Sequence, residues 1–318
     1  MSRLLAAALL LAAPAQDTAP YEALRQVDQR LADIAYRLTT ANEALCRERQ
    51  PVFGLQLHAI DQYPARDRAA VGQVFGFAAP VAVELVVPDG PAARAGLRAN
   101  DGVTAIDGAA LPPPAATDRI TAATRDAAQA RLAAGAPTAA VTLARAGAAP
   151  VVVQPVPGCR VEFEVLATRK LGASSDGRVV QVGAPLFARF DDDQIAVVVA
   201  HELAHSVLAH RARLEAAGVK WGLLAQFGRN ARLFRTTESE ADVLGAVLLR
   251  NAGWDPRNAV RFWKEEGSKI DGGMFHSRTH PSAKDRAAAI AAALATIPAG
   301  APVPYLPPIL ARRDAPLE

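Results

Sequence analysis

A chain of 318 residues is long enough for about two domains, each with a buried core. With 51% hydrophobic and 21% charged residues it has a globular composition, which excludes disordered and collagen-like chains. Lys and Arg number 35 against 32 Asp and Glu; the resulting +3 is too small an excess to give the basic footprint of a nucleic-acid binder.

At the N-terminus, Arg3 precedes an apolar run over residues 4–13, and Ala13-Pro14-Ala15 supplies the small residues of an export-signal cleavage site. Residues 1–15 are expected to be a signal peptide, cut after Ala15. About ten apolar residues are too few to span roughly 30 Å of hydrocarbon, and the later apolar runs at 195–200 and 243–249 read as buried core. The expected product is periplasmic or secreted, with no transmembrane segment in the mature chain. Cys46 and Cys159 fit an oxidising compartment; a bridge between them and two free buried thiols are both compatible with the sequence.

From residue 21 to 49, Leu24, Val27, Leu31, Ile34, Leu38 and Leu45 recur at three and four spacing among charges, which predicts an amphipathic helix within an N-terminal segment, 16–50. Gly, Pro and short β-branched runs then predict a small α+β unit over 51–158. Its strands are expected at 81–87, 103–106, 139–144 and 151–156, with a helix over 118–134.

Inside that unit the order is a strand, the turn Pro88-Asp89-Gly90-Pro91, a short helix closed by Gly96, and a second strand ended by Asp107-Gly108. This arrangement closely resembles the centre of a PDZ domain. The resemblance implies binding of extended peptides, often C-termini, as an added strand, with backbone amides receiving the carboxylate. Phe53-Gly54-Leu55 is the favoured carboxylate loop because it leaves room for a strand behind it; Phe75-Gly76-Phe77 is the alternative.

The strongest chemical signal is His201-Glu202-Leu203-Ala204-His205, in a stretch over 193–213 free of Gly and Pro. On a helix, residues four apart lie about 40° apart around the axis and about 6 Å along it, so His201 and His205 offer two imidazoles to one ion. Zn²⁺ suits that ligation, and Glu202 flanks it where a base would take a proton from water. A catalytic zinc site needs a third protein ligand. Downstream, Glu238-Ser239-Glu240-Ala241-Asp242 opens another helical run to Arg250. Glu238 and Asp242 share a face, so one can bind metal while the other orients an imidazole; Glu240 points away and reads as an ordinary charged residue.

HExxH, then ExxAD, then Thr279-His280-Pro281 with Arg286 six residues after that histidine, resembles the gluzincin metallopeptidases of peptidase family forty-eight over about residues 161–290. The resemblance implies zinc held by His201, His205 and Glu238, Glu202 as general base, and Asp242 supporting the site. It also implies His280 and Arg286 near the scissile carbonyl, as candidates for stabilising the oxyanion. His280 has a second reading, as a loop histidine that occupies the open zinc position and silences the enzyme. One departure is Leu171-Gly172-Ala173-Ser174-Ser175-Asp176-Gly177, where many relatives carry Asn-Ala before the substrate-aligning edge strand; that strand is expected at 178–182.

The expected fold is therefore α+β: a mainly helical zincin metalloprotease domain with a small edge-strand sheet, 159–300, plus the PDZ-like α+β domain, and a tail over 301–318. The expected function is an exported zinc endopeptidase acting on protein or peptide substrates, selected through their C-termini, with no nucleic-acid partner. The alternative class is a latent peptidase serving as a binding or chaperone-like protein. His210, about 140° around the helix from His205, is expected to miss the metal face. His58 and His276 carry no expected role, and the hydrophobic and basic stretch 221–234 reads as packing, lid or membrane contact.

Overall fold

In the computed structural model, residues 17–114, 119–219, 228–267 and 280–317 are described. The expected signal peptide, His276 and the first half of the stretch 221–234 lie outside them. The first helix, α1 (Ala19–Ala41), buries Leu31, Ile34 and Leu38 as its periodicity predicts. It stops well before residue 49 because Asn42, fully buried, turns its side-chain amide onto the carbonyls of Leu38 (2.9 Å) and Leu248 (3.1 Å). An asparagine that satisfies these groups competes with the next helical turn.

Beyond it, β1 (Arg49–Val52) leads into the inserted unit, which returns through β8 (Val156–Cys159). Between them lie β2 (Leu55–Ala59), α2 (Arg68–Phe75), β3 (Val81–Val86), α3 (Pro91–Arg94), β4 (Gly102–Ile106), β5 (Ala109–Ala110), α4 (Ala123–Ala133), β6 (Val141–Arg145) and β7 (Ala148–Val153). The main sheet runs β2-β3-β4-β6-β7, with β5 beside β4, and every pairing is antiparallel. Leu57, Val83, Val103, Leu143, Ala128 and Leu132 form its core under α4. Asp107 (φ +48°) and Gly108 (φ +75°) make the tight β4–β5 turn that their sequence predicts.

The ends of the insertion pair with each other: β1 and β8 form a two-stranded antiparallel ribbon in which Arg49 faces Cys159 and Val52 faces Val156. Cys46 and Cys159 are joined by a disulfide at the base of that ribbon.

The chain then makes β9 (Glu162–Leu166), β10 (Ala173–Ser175), β11 (Val179–Gly183), α5 (Ala184–Arg189), α6 (Asp192–Val207), α7 (His210–Ala216), α8 (Gly228–Asn251), α9 (Arg257–Glu265) and α10 (Ala283–Ala295). The small sheet has the order β10-β11-β9. The strand expected as an edge, 178–182, is thus the central one: residues 173–175 fold back beside it antiparallel, and β9 pairs parallel on its other side. Among the described residues, β9 and β10 are the outer strands of this sheet. The core of this domain gathers Ile195, Val199 and Leu203 from α6, Leu244 and Leu248 from α8, Phe262 from α9 and Ile290 from α10, together with Leu31, Ile34 and Leu38 of α1. No described helix is long and apolar enough to cross a membrane.

Two polar clusters join α1 to the inserted domain. His58, expected at the surface, is buried against Tyr63, Phe75 and Phe77, with Nδ1 3.0 Å from the Tyr63 hydroxyl; burial lowers its pKa to about 3 and keeps it neutral. Nearby, Asp28 of α1 and Glu84 of β3 are buried together and hydrogen-bonded, with Arg25, Arg125 and Tyr63 as the other charged or titratable groups around them. Burial raises Asp28 to about 6 and Glu84 well above the usual carboxylate range. The folded state therefore holds protons that the unfolded chain releases near pH 4, and its stability falls as pH rises from about 4 through 6. The expected loss is on the order of 1–3 kcal/mol. Urea unfolding between pH 4.5 and 7.5 checks it: Asp28→Asn should flatten the profile, and an unchanged slope in that variant would remove this pair as its cause.

Candidate metal centre and active site

The helix that carries the HExxH residues starts at a capping box: Asp191 accepts from the Gln194 amide (2.9 Å) and the Gln194 side chain accepts from the Asp191 amide (3.2 Å). Ile195, Val199 and Leu203 anchor α6 in the core, which leaves His201, Glu202 and His205 on the side facing α8 and the start of α10. Gly245 lets α8 come close. A Cβ there would stand 3.2 Å from both the Cα and the backbone nitrogen of His201. That approach brings Glu238 and Asp242 of α8 to the histidines.

Four separations define the site. His201 Nε2 lies 3.1 Å from His205 Nε2 and 3.3 Å from Glu238 Oε2, and His205 Nε2 lies 3.5 Å from Glu238 Oε1. Behind the ligand atoms, His201 Nδ1 lies 3.1 Å from Asp242 Oδ1. Two ligands held about 2.0–2.1 Å from one tetrahedral zinc are about 3.3–3.4 Å apart, so the triangle made by these three residues has the size of a zinc ligand set. Among the described residues, His201, His205 and Glu238 form the cluster whose donor atoms lie within 4.8 Å of one another.

Glu202 is buried beside this triangle, and burial pushes its carboxyl up to about 7. His280 stands just before α10 with Nε2 3.5 Å from Glu238 Oε2; burial holds it below the ordinary imidazole range. Arg286 is placed differently from the oxyanion role that the resemblance implied. It lies behind the ligands, buried, with Nε and a terminal nitrogen each 2.6 Å from the Asp242 carboxylate and its guanidinium 3.5 Å over the Trp263 ring. A terminal nitrogen also reaches to 3.3 Å from His201 Nδ1.

His210 and Glu240 were read from the sequence as uninvolved, and the structure puts both at the site. The helix breaks at Leu208, Ala209 takes a left-handed conformation (φ +52°), and α7 starts at His210 in a new direction. The 140° offset of a continuous helix no longer applies, and His210 Nδ1 lies 2.8 Å from His205 Nδ1. Glu240 points away from the ligand triangle but onto His210 Nε2 at 3.1 Å. Although burial raises its pKa, hydrogen bonds from His210 and Arg213 bring it down to about 2. No Gly or Pro marks the break, so the sequence carries no signal for it.

In the inserted domain, Phe53-Gly54-Leu55 opens edge strand β2: the Phe53 carbonyl accepts from the Ala92 amide and the Gly54 carbonyl from the Val87 amide, both at 2.8 Å. Phe75-Gly76-Phe77 instead closes α2 within the aromatic cluster against α1. A cavity of about 190 Å³ lies between β2 and α4, walled on its far side by α1 and β9; Leu55, Arg125, Leu132, Tyr36 and Phe163 line it. Arg125 crosses from α4 to Glu164 of β9 at 3.2 Å.

A buried two-histidine, one-carboxylate triangle with a glutamate beside the first ligand is the arrangement of a metallopeptidase centre. Residues 170–294 match Peptidase family M48 and residues 83–132 match the PDZ domain, so a match to a PDZ domain precedes a match to that peptidase family in one chain. It is 31% identical over 117 residues to the mitochondrial metalloendopeptidase OMA1 of Schizosaccharomyces pombe, and 32% identical over 120 residues to that of Arabidopsis thaliana. These alignments cover 30% and 32% of this chain, and 34% and 24% of the two relatives, so the chain spans about a third or less of their length.

Proposed function

We propose that the protein is a zinc-dependent endopeptidase whose PDZ domain selects protein substrates. The observation that carries this reading is the ligand-sized triangle of His201, His205 and Glu238 with Glu202 beside it. Zinc held there would act as a Lewis acid that lowers the pKa of water and polarises a carbonyl. Glu202 accepts the proton of the attacking water at its carboxylate and passes it to the leaving amine nitrogen. Asp242 and Arg286 hold His201 in orientation from behind. The outer strands of the small sheet can pair with an extended substrate backbone, and the cavity beside Phe53-Gly54-Leu55 offers a peptide C-terminus a place next to edge strand β2.

Export is part of the proposal. The Cys46–Cys159 disulfide supports an oxidising compartment, and turnover of misfolded envelope proteins is the role that suits it. The test measures zinc content together with cleavage of casein or an unfolded protein. Zinc without cleavage would favour a latent peptidase that acts as a binding protein.

His280 enters this mechanism as a neutral donor toward the carbonyl oxygen. His280→Ala is expected to retain zinc and to lower kcat by about a hundredfold, the scale of losing one oxyanion donor. Steady-state kinetics on the purified variant checks this; a faster enzyme would instead identify His280 as a brake in the open ligand position.

A further inference from the structure

We propose that Glu240 and His210 are positioning residues that fix the tautomer of His205 and so prepare it to hold the metal. The inference rests on the reading of His201, His205 and Glu238 as a metal centre.

Glu240 is buried and receives three donors: Arg213 at 2.6 Å, His210 Nε2 at 3.1 Å and Arg312 at 3.1 Å. A carboxylate only accepts, so His210 Nε2 carries its hydrogen. Two guanidiniums already outweigh the single Glu240 charge, so a third cation beside them would be repelled; the His210 imidazole is neutral, with a lone pair on Nδ1. That lone pair lies 2.8 Å from His205 Nδ1, and one hydrogen must occupy the contact; it resides on His205. His205 Nε2 is left unprotonated, and this is the atom that faces His201 Nε2 and Glu238. His201 is oriented by Asp242 directly, whereas His205 is oriented by a carboxylate acting through a second imidazole.

Two further features point the same way. Ala209 holds a left-handed conformation that a residue bearing a Cβ rarely adopts, and the result is to turn His210 back onto His205. The C-terminal segment is tied to the relay as well: Arg312 lies on the 3-10 turn Pro308–Asp314, and the Arg213 Nε donates to the Ala315 carbonyl at 3.1 Å. Residues near the end of the described chain thus help to hold the carboxylate that sets the ligand.

The test is zinc affinity of the full-length protein, measured by competition with a chelator, for wild type, His210→Leu and His210→Gln, with circular dichroism to establish folding. Leucine fills the space but breaks the relay; glutamine can accept from His205 at its oxygen and donate to Glu240 at its nitrogen. His210→Leu should weaken zinc binding about 10–100-fold, the usual effect of losing a group behind a metal ligand, while His210→Gln stays near wild type. Wild-type affinity in a folded His210→Leu protein, or equal weakening in both variants, would overturn the proposal. Nitrogen-15 spectra of zinc-free wild type give a readout independent of the metal: His205 should be protonated at Nδ1, and protonation at Nε2 would overturn the relay. If wild type shows the Nδ1 tautomer but binds no zinc, the metal-centre reading fails and the relay stands.

Discussion

Glu202→Gln is expected to keep its zinc and to lose peptide hydrolysis by about 10²–10⁴-fold, the range that a positioned general base contributes. The substitution preserves size and leaves all three ligands untouched, but an amide cannot take up the proton that water must shed. Burial raises the Glu202 carboxyl to about 7. A bound cation draws that value down, so the acid limb of kcat/KM should lie below pH 7, with activity rising as the carboxyl ionises. Metal analysis and cleavage assays on the same preparations check this. Undiminished cleavage by the zinc-loaded variant would mean that hydrolysis arises elsewhere.

Arg286→Ala is expected to destabilise the peptidase domain by about 3–5 kcal/mol, the cost of leaving a buried charge without its partner. Asp242 would lose both 2.6 Å contacts, and Trp263 would lose the guanidinium stacked on its face. Lysine should rescue little, since a point charge cannot reproduce a two-pronged contact and a stacked plane. Urea unfolding of Arg286→Ala, Asp242→Leu and the double variant measures the coupling. Strictly additive losses would show that the pair does not act as a unit.

Much of the site was legible because its chemistry needs residues at fixed spacing. The HExxH spacing singles out His201, His205 and Glu202, and a second pair four apart singles out Glu238 and Asp242, whose division into ligand and support comes from the family resemblance; the structure brings all five together. The PDZ core was legible through its turns, since Asp107-Gly108 and Gly96 permit few other backbones. Elsewhere a local pattern met a tertiary contact that it could not encode. The periodicity of α1 continues past Ala41, but a buried asparagine ends the helix by bonding a carbonyl on α8. His210 looked misdirected because helical arithmetic assumes an unbroken helix, and the break at Ala209 has no breaker residue. Glu240 looked like an ordinary charge because its partners come from α7 and from a segment some seventy residues later. Arg286 was matched by spacing, which gives the neighbourhood of a side chain and not which side of the ligands it occupies.

The ribbon of β1 and β8 means that the PDZ domain leaves and rejoins the peptidase through two neighbouring strands, pinned at their base by Cys46 and Cys159. Val52 and Val156 already face each other in antiparallel register, so a two-residue turn could link them and close an ordinary hairpin. In architectural terms the domain is a cartridge on a stalk. A chain built this way can exchange the inserted domain for another, or do without one, while the frame that holds α6 and α8 keeps the same path.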